Sequence, residues 1–162
     1  MIETPDIFFL VKGESEGGSE LNVFDNCLLK AGIGNTNLLK MSSIIPPGCI
    51  KVSGVMVPEG SLLPIAYSFI YSEKPGSLIS AAVAVAIPDD PSLPGLIMEH
   101  SGYGSLEKIA KKAYNMAVEG FNIRGFPIKE IIIEGIEHRV MKKGGAFAAA
   151  ALWYREKTEK DR

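Results

Sequence analysis

The stretch "GAFAAAALWYRE" (145–156) limits the folds open to this chain more than any other. Its first ten residues carry no charge, and Ala148 to Ala151 form an unbroken block. Alanine favours helix by intrinsic propensity. The flanking Gly145, Phe147, Trp153 and Tyr154 argue instead for extended backbone, where aromatics pack well and glycine permits close approach. The stretch is therefore read as a buried strand against which another layer packs closely.

The rest of the chain supplies partners for such a strand. "IFFLVKG" (7–13) reads as a first strand and "ESEGGSE" as a loop. From Glu20, the apolar residues Leu21, Phe24, Leu28 and Ala31 recur at spacings of three and four, predicting a short helix with Asn22 as its cap. Gly32 and Gly34 end it. "NLLKMSSI" is extended, and Pro46-Pro47 stops it because neither proline has an N–H to give. "LLPIAYSFIYSE", "SLISAAVAVAIP" and "GLIMEHSGYG" are further strands bounded by turn signals. Ser105 caps a helix over 105 to about 120 whose stripe is Leu106, Ile109, Ala113, Met116 and Ala117. "KEIIIEGIEHRVMK" then leads to the closing strand, and 155–162, "REKTEKDR", reads as a solvated tail. Many strands and few helices give an α+β class, with helices covering sheets. At 162 residues the chain forms one domain, 1–162, with room for a core.

Several functions are disfavoured at once. A net charge of -2 gives no electrostatic case for nucleic acid or an anionic membrane. No apolar run approaches the ~20 residues of a membrane span, and "MIETPDIFFLVKG" lacks a signal peptide's basic start. Cys27 and Cys49 make neither a metal pattern nor a disulfide framework, so a cytoplasmic setting is expected. His100 and His138 are too few for a multi-histidine metal site, and no metal is expected. "GIGN" (32–35) lacks the third glycine and preceding strand of a dinucleotide fingerprint.

One pair of residues invites chemistry. Ser42 and Ser43 sit inside "GIGNTNLLKMSSIIPPG" (32–48), between apolar residues and a rigid exit. The Ser43 hydroxyl lies a few bonds from the Ser42 carbonyl. In a strained backbone it can attack that carbonyl and move the acyl group from nitrogen to oxygen. β-Elimination of the ester leaves a carboxylate on Ser42 and a dehydroalanine at residue 43. Loss of ammonia with addition of water gives a pyruvoyl group. Such a ketone forms an imine with a substrate amine and draws electrons from its α-carbon, as other carbanion-stabilising cofactors do. A serine pair alone is a weak motif.

"GIGNTNLLKMSSIIPP", "GLIMEH" and "GAFAAAALWY" together, in this order, resemble the pyruvoyl-dependent arginine decarboxylases, from about "EGGSELNVFD" to "ALWY". The resemblance implies cleavage between Ser42 and Ser43 into 1–42 (β chain) and 43–162 (α chain), with Ser43 becoming a covalent pyruvoyl cofactor. It implies a layered sandwich of mainly antiparallel sheets flanked by helices (αββα), assembled as a homotrimer with sites between subunits. The implied reaction takes L-arginine to agmatine and CO2, a step feeding polyamine synthesis. Asn37 is implied in processing and in the active site, as a catalytic residue whose amide can donate to the Ser42 carbonyl oxygen. Glu99 is implied as proton donor, and burial beside Leu96, Ile97 and Met98 should raise its pKa. Asp25 is implied in guanidinium binding through paired charged hydrogen bonds, with Leu21, Gly34 and the freed Ser42 carboxylate beside it. Lys40 and Met41 are expected to stand outside the chemistry. Two rivals remain: a pyruvoyl decarboxylase of another amino acid such as histidine, and an uncleaved, non-catalytic relative serving as a binding or partner subunit.

Overall fold

The computed structural model describes residues 2–156. In chain order it contains β1 (Ile7–Glu16), α1 (Glu20–Lys30), β2 (Asn37–Lys40), β3 (Ile44–Ile45), β4 (Ile50–Lys51) and β5 (Leu62–Ser72). There follow β6 (Leu78–Pro88), β7 (Gly95–Tyr103), α2 (Leu106–Arg124), β8 (Ile128–Arg139) and β9 (Gly144–Trp153). The strands form a mixed sheet, β2-β5-β9-β1-β4, and an antiparallel sheet, β3-β7-β6-β8.

The alanine-rich segment is the strand at the heart of the first sheet. β9 pairs antiparallel with β1 on one side and β5 on the other, and all ten of its residues are buried. Alternation sends Ala146, Ala148, Ala150 and Leu152 into the core between the sheets. Phe147, Ala149, Ala151 and Trp153 face the opposite way, against Val23, Cys27 and Leu28 of α1. On the second sheet, Ala82, Ala84 and Ala86 receive Ile109, Ala113, Ala117 and Phe121 of α2. The layers are thus α1, sheet, sheet, α2. Small residues bring the sheets close enough for two side chains to bond across the gap: Ser68 Oγ donates to Ala82 O at 3.1 Å and Ser101 Oγ to Phe69 O at 3.1 Å.

The sequence reading needs correction in places. β1 runs on to Glu16, because its ladder with β9 continues to Glu16↔Gly144. The cap of α1 is Ser19 rather than Asn22: the Ser19 hydroxyl accepts from Asn22 N, and the Ser19 carbonyl accepts from Val23 N. α2 passes the expected end near 120. Gly120 lies inside it as a packing residue, where a Cβ would stand 2.3 Å from Leu96 Cδ2, and Gly125 at φ 69° makes the cap. "NLLKMSSI" is two strands in two different sheets, and β4, paired in parallel with β1, was not foreseen. His138 is structural, bridging the carboxylates of Glu14 and Glu16. Arg155 N donates to Asp6 Oδ1, so the expected tail is tethered at its first residue; 157–162 lie outside the described residues.

Candidate active site

The serine pair lies where the chain leaves one sheet for the other. β2 ends at Lys40 beside β5, and Met41 N donates to Ile65 O at 3.0 Å. β3 begins at Ile44 beside β7, and Ile97 N donates to Ser43 O at 2.7 Å. The Ser42–Ser43 peptide is therefore held on its two sides by two different sheets. Ser42 is exposed, Ser43 half-buried. Beyond β3, Pro46-Pro47 and Gly48 (φ 75°) turn the chain, closed by Cys49 N donating to Pro46 O. The proline pair locks the exit of this crossover.

Glu99 stands next to Ser43. The β3–β7 register pairs Ile44 with Leu96 and Ile45 with Gly95; continued by one residue it sets Ser43 opposite Ile97, as their hydrogen bond requires. Glu99 is two positions further along β7 and so on the same face, a diagonal neighbour at about 7–8 Å by strand geometry. That face points between the sheets, since Ile97 lies in the inter-sheet core and Ser101 reaches β5. Half-burial there pushes the Glu99 carboxyl above its ordinary value, while the Lys40 charge and a backbone bond pull against it. The direction agrees with the sequence reading.

His100 takes the opposite face, where burial and then Lys112 of α2 hold its pKa down; it does not face Glu99. Lys40, set aside in the sequence, holds its ammonium 4.5 Å above the Tyr67 ring, and its charge pulls the Glu99 carboxyl downward. Met41 packs on the core between the sheets. Neither role had a local signal, because both depend on β2 lying along β5.

Asn37 opens β2 at the far end from the serines, across a strand that rises about 10 Å. Its amide donates to Gly60 O at 3.0 Å and its backbone N–H to Ser61 O at 2.8 Å. The structure therefore does not bring the Asn37 amide to the Ser42 carbonyl.

Leu21, Asp25 and Gly34 lie along one side of α1. Leu21, Asp25 and Leu29 recur every fourth residue along the exposed face of α1. Gly34 closes against Leu29 so tightly that a Cβ would fall 2.5 Å from Leu29 Cδ2. Leu21 is 75% and Leu29 53% exposed, so Asp25 sits between uncovered apolar walls. Nearby, a hollow of about 400 Å3 is lined by Glu20, Leu21, Phe24, Tyr67 and Phe69. Leu29, Phe24 and Tyr67 are the neighbours that sequence reasoning missed. This group lies on the α1 side of the first sheet, whereas Glu99 and Ser43 lie on its other side.

The two-sheet α+β fold has a counterpart among solved structures. It resembles a solved pyruvoyl-dependent histidine decarboxylase with a TM-score of 0.51 at 17% identity, over 60% of this chain and 52% of that one. A family model for pyruvoyl-dependent arginine decarboxylase matches residues 7–159. A pyruvoyl-dependent arginine decarboxylase of Methanocaldococcus jannaschii is 50% identical over 151 residues, 93% of this chain and 92% of the relative. One from Pyrococcus furiosus is 41% identical over 93% of this chain and 96% of its own. The chain belongs to the pyruvoyl-dependent arginine decarboxylase family.

Proposed function

We infer that this chain decarboxylates L-arginine to agmatine and CO2, using a pyruvoyl group that it makes from Ser43 by cutting its own Ser42–Ser43 bond. The observation that carries the cleavage step is the two-sided anchoring of that bond, Met41 N–H to Ile65 O and Ile97 N–H to Ser43 O. An anchored peptide cannot relax away from its own hydroxyl, which favours intramolecular attack. The products, 1–42 and 43–162, stay together, because β1 pairs with β9 over ten residues and α1 packs on the same sheet.

The half-buried position of Ser43, with its carbonyl fixed and a carboxyl on the same face, suits a ketone at residue 43. That group supplies electron withdrawal from the substrate's α-carbon. Glu99, kept above the ordinary carboxyl range by burial, holds a proton for delivery to that carbon after CO2 leaves. Asp25 receives the guanidinium, with Leu21, Leu29 and Gly34 against the aliphatic stem and the new Ser42 carboxylate as a further acceptor. Because Asp25 and Glu99 lie on opposite sides of a sheet, the site is completed between neighbouring subunits, in a cytoplasmic homotrimer. Asn37 supports the site at a distance, by fixing the start of β2 to the 58–61 turn. No helix among the described residues is long and apolar enough to cross a membrane.

Intact mass under denaturing conditions tests the cleavage. Two species matching 1–42 and 43–162 are expected, the larger blocked to N-terminal sequencing, and Ser43→Ala should give one full-length species. A wild-type chain that stays whole for days sinks the reading in favour of a non-catalytic relative. Release of CO2 from histidine but not arginine would overturn the substrate.

A further inference from the structure

The Ser43 carbonyl oxygen is held at 2.7 Å by Ile97 N–H, within the range of a donor poised on developing negative charge. We propose that Ile97 N–H is a catalytic donor for self-cleavage, stabilising the charge that gathers on the Ser43 carbonyl oxygen as the Ser43 Cα proton leaves. This rests on the self-cleavage reading above and adds a residue to it. The oxygen concerned belongs to Ser43, one peptide beyond the Ser42 carbonyl that is attacked. The donor therefore stabilises charge in the second step, elimination; in the first it serves only as the anchor described above.

Once the Ser42 acyl group sits on Ser43 Oγ, the Cα–H and Cβ–Oγ bonds break and a Cα=Cβ bond forms. The proton passes to water, and Ser42 departs as a carboxylate that keeps the former Oγ. Between the two cleavages the electron pair from Cα–H is shared with the Ser43 carbonyl, whose oxygen becomes negative. An α-proton beside an amide carbonyl is weakly acidic, so a donor already aimed at that oxygen lowers the barrier to its removal.

The setting is rigid at both partners. Ile97 is fully buried, and β7 is laddered to β6 from Ile79↔Tyr103 to Ala86↔Leu96. On the other side, the two-residue β3 and the Pro46-Pro47 turn fix where the Ser43 carbonyl points. A donor that need not reorganise is worth more than one recruited during the reaction.

The test removes the N–H and keeps the side chain, by replacing Ile97 with its α-hydroxy acid so that the 96–97 peptide becomes an ester. The same exchange at Val85, which faces Ile97 across β6, controls for the loss of any strand rung. Intact mass is followed with time, with and without hydroxylamine, which splits esters. The Ile97 variant should form 43–162 with its blocked end roughly 10²-fold more slowly than wild type, the usual effect of losing one such donor. Over that time hydroxylamine should release 1–42 from it, revealing stalled ester, as fragments distinct in mass from a cut at residue 97. The Val85 variant should cleave at the wild-type rate. Cleavage of the Ile97 variant at that rate, equal slowing of both variants, or slowing without hydroxylamine-sensitive 42–43 ester would each overturn the proposal. A wild-type chain that neither cleaves nor yields to hydroxylamine would instead remove the self-cleavage reading beneath it.

Discussion

Gly13 is where the fold of this chain meets the proposed arginine pocket, so Gly13→Ala is the most informative single change. Gly13 lies in β1 under α1, and a Cβ there would stand 2.1 Å from Cys27 O and 3.0 Å from Ala31 N. Its φ is not positive, so the backbone itself accepts alanine. On unfolded-state entropy alone the substitution would stabilise by about 0.4–1 kcal/mol. The clash reverses the sign. Ordinary contact begins at 3.4 Å, so the helix must back off by more than 1 Å. Overpacking of this kind costs about 1–3 kcal/mol, and in a domain of this size each kcal/mol lowers Tm by about 2–4 °C. Less the entropy gain, the net loss is up to about 2.5 kcal/mol, and the melting point should fall by up to about 10 °C. The same shift moves Leu21 and Asp25, and a misplacement near 1 Å costs up to about 10²-fold in a positioned reaction. The loss should appear mainly in KM for arginine. Formation of 1–42 and 43–162 should be unchanged, since the crossover is anchored on β5 and β7. Thermal melts, intact mass and steady-state CO2 release measure all three. A Tm at or above wild type would refute the close seating of α1; a lowered Tm with unchanged KM would refute the placement of Asp25 in the arginine pocket.

Glu99→Gln should still yield both fragments but lose about 10²- to 10⁴-fold in kcat, the usual worth of a positioned proton donor; near-normal turnover would remove it from that role. Lys40→Met should move the alkaline limb of kcat to higher pH. A general acid works while protonated, so activity is present below the Glu99 pKa and lost as pH rises through it. The Lys40 charge pulls that pKa down, so its removal lets the protonated form persist further. Lys40→Arg should leave the limb in place, and an unmoved limb in Lys40→Met would show that Lys40 does not act on Glu99.

Readable and unreadable features separate by the range of the interactions that decide them. β9 was legible because Gly145, Phe147 and Trp153 overrule alanine's helical preference locally, while its partners on both sides only complete the burial. The raised Glu99 pKa was legible from its apolar neighbours in the chain, although the face it occupies is fixed by Ser101 bonding to β5. The break of "NLLKMSSI" into β2 and β3 was not legible. Its residues suit extended backbone throughout, and only pairing with β5 and then β7, far along the chain, shows that the sheets change at Ser42. Lys40 fails for the same reason: its pull on Glu99 acts between two strands in different sheets. Ser19 and Asn22 are both capping residues, and Ser19 caps because its carbonyl takes the first helical bond from Val23.

That division of the chain implies a division of labour. Both hydrogen bonds that anchor the serine pair come from its own chain, so the proposed cleavage would need only the protomer. On the proposed reading, Asp25 and Glu99, on opposite sides of the first sheet, meet only between neighbouring subunits, and decarboxylation would belong to the assembly. The two can be separated by mixing variants. Asp25→Asn alone should raise KM for arginine about 10- to 100-fold, the loss of a charged hydrogen bond, and Glu99→Gln alone should lose kcat. If subunits assemble at random in a cyclic trimer, each site draws one residue from each of two neighbours. Unfolding and refolding the two cleaved variants together in equal amounts then places intact Asp25 and intact Glu99 in the same site with probability one half times one half. About one quarter of wild-type activity should return, with wild-type KM, although neither parent has it. Unrecovered activity after verified mixing would mean that both residues serve one chain's site, and the pocket would have to be sought on a single face of the protomer.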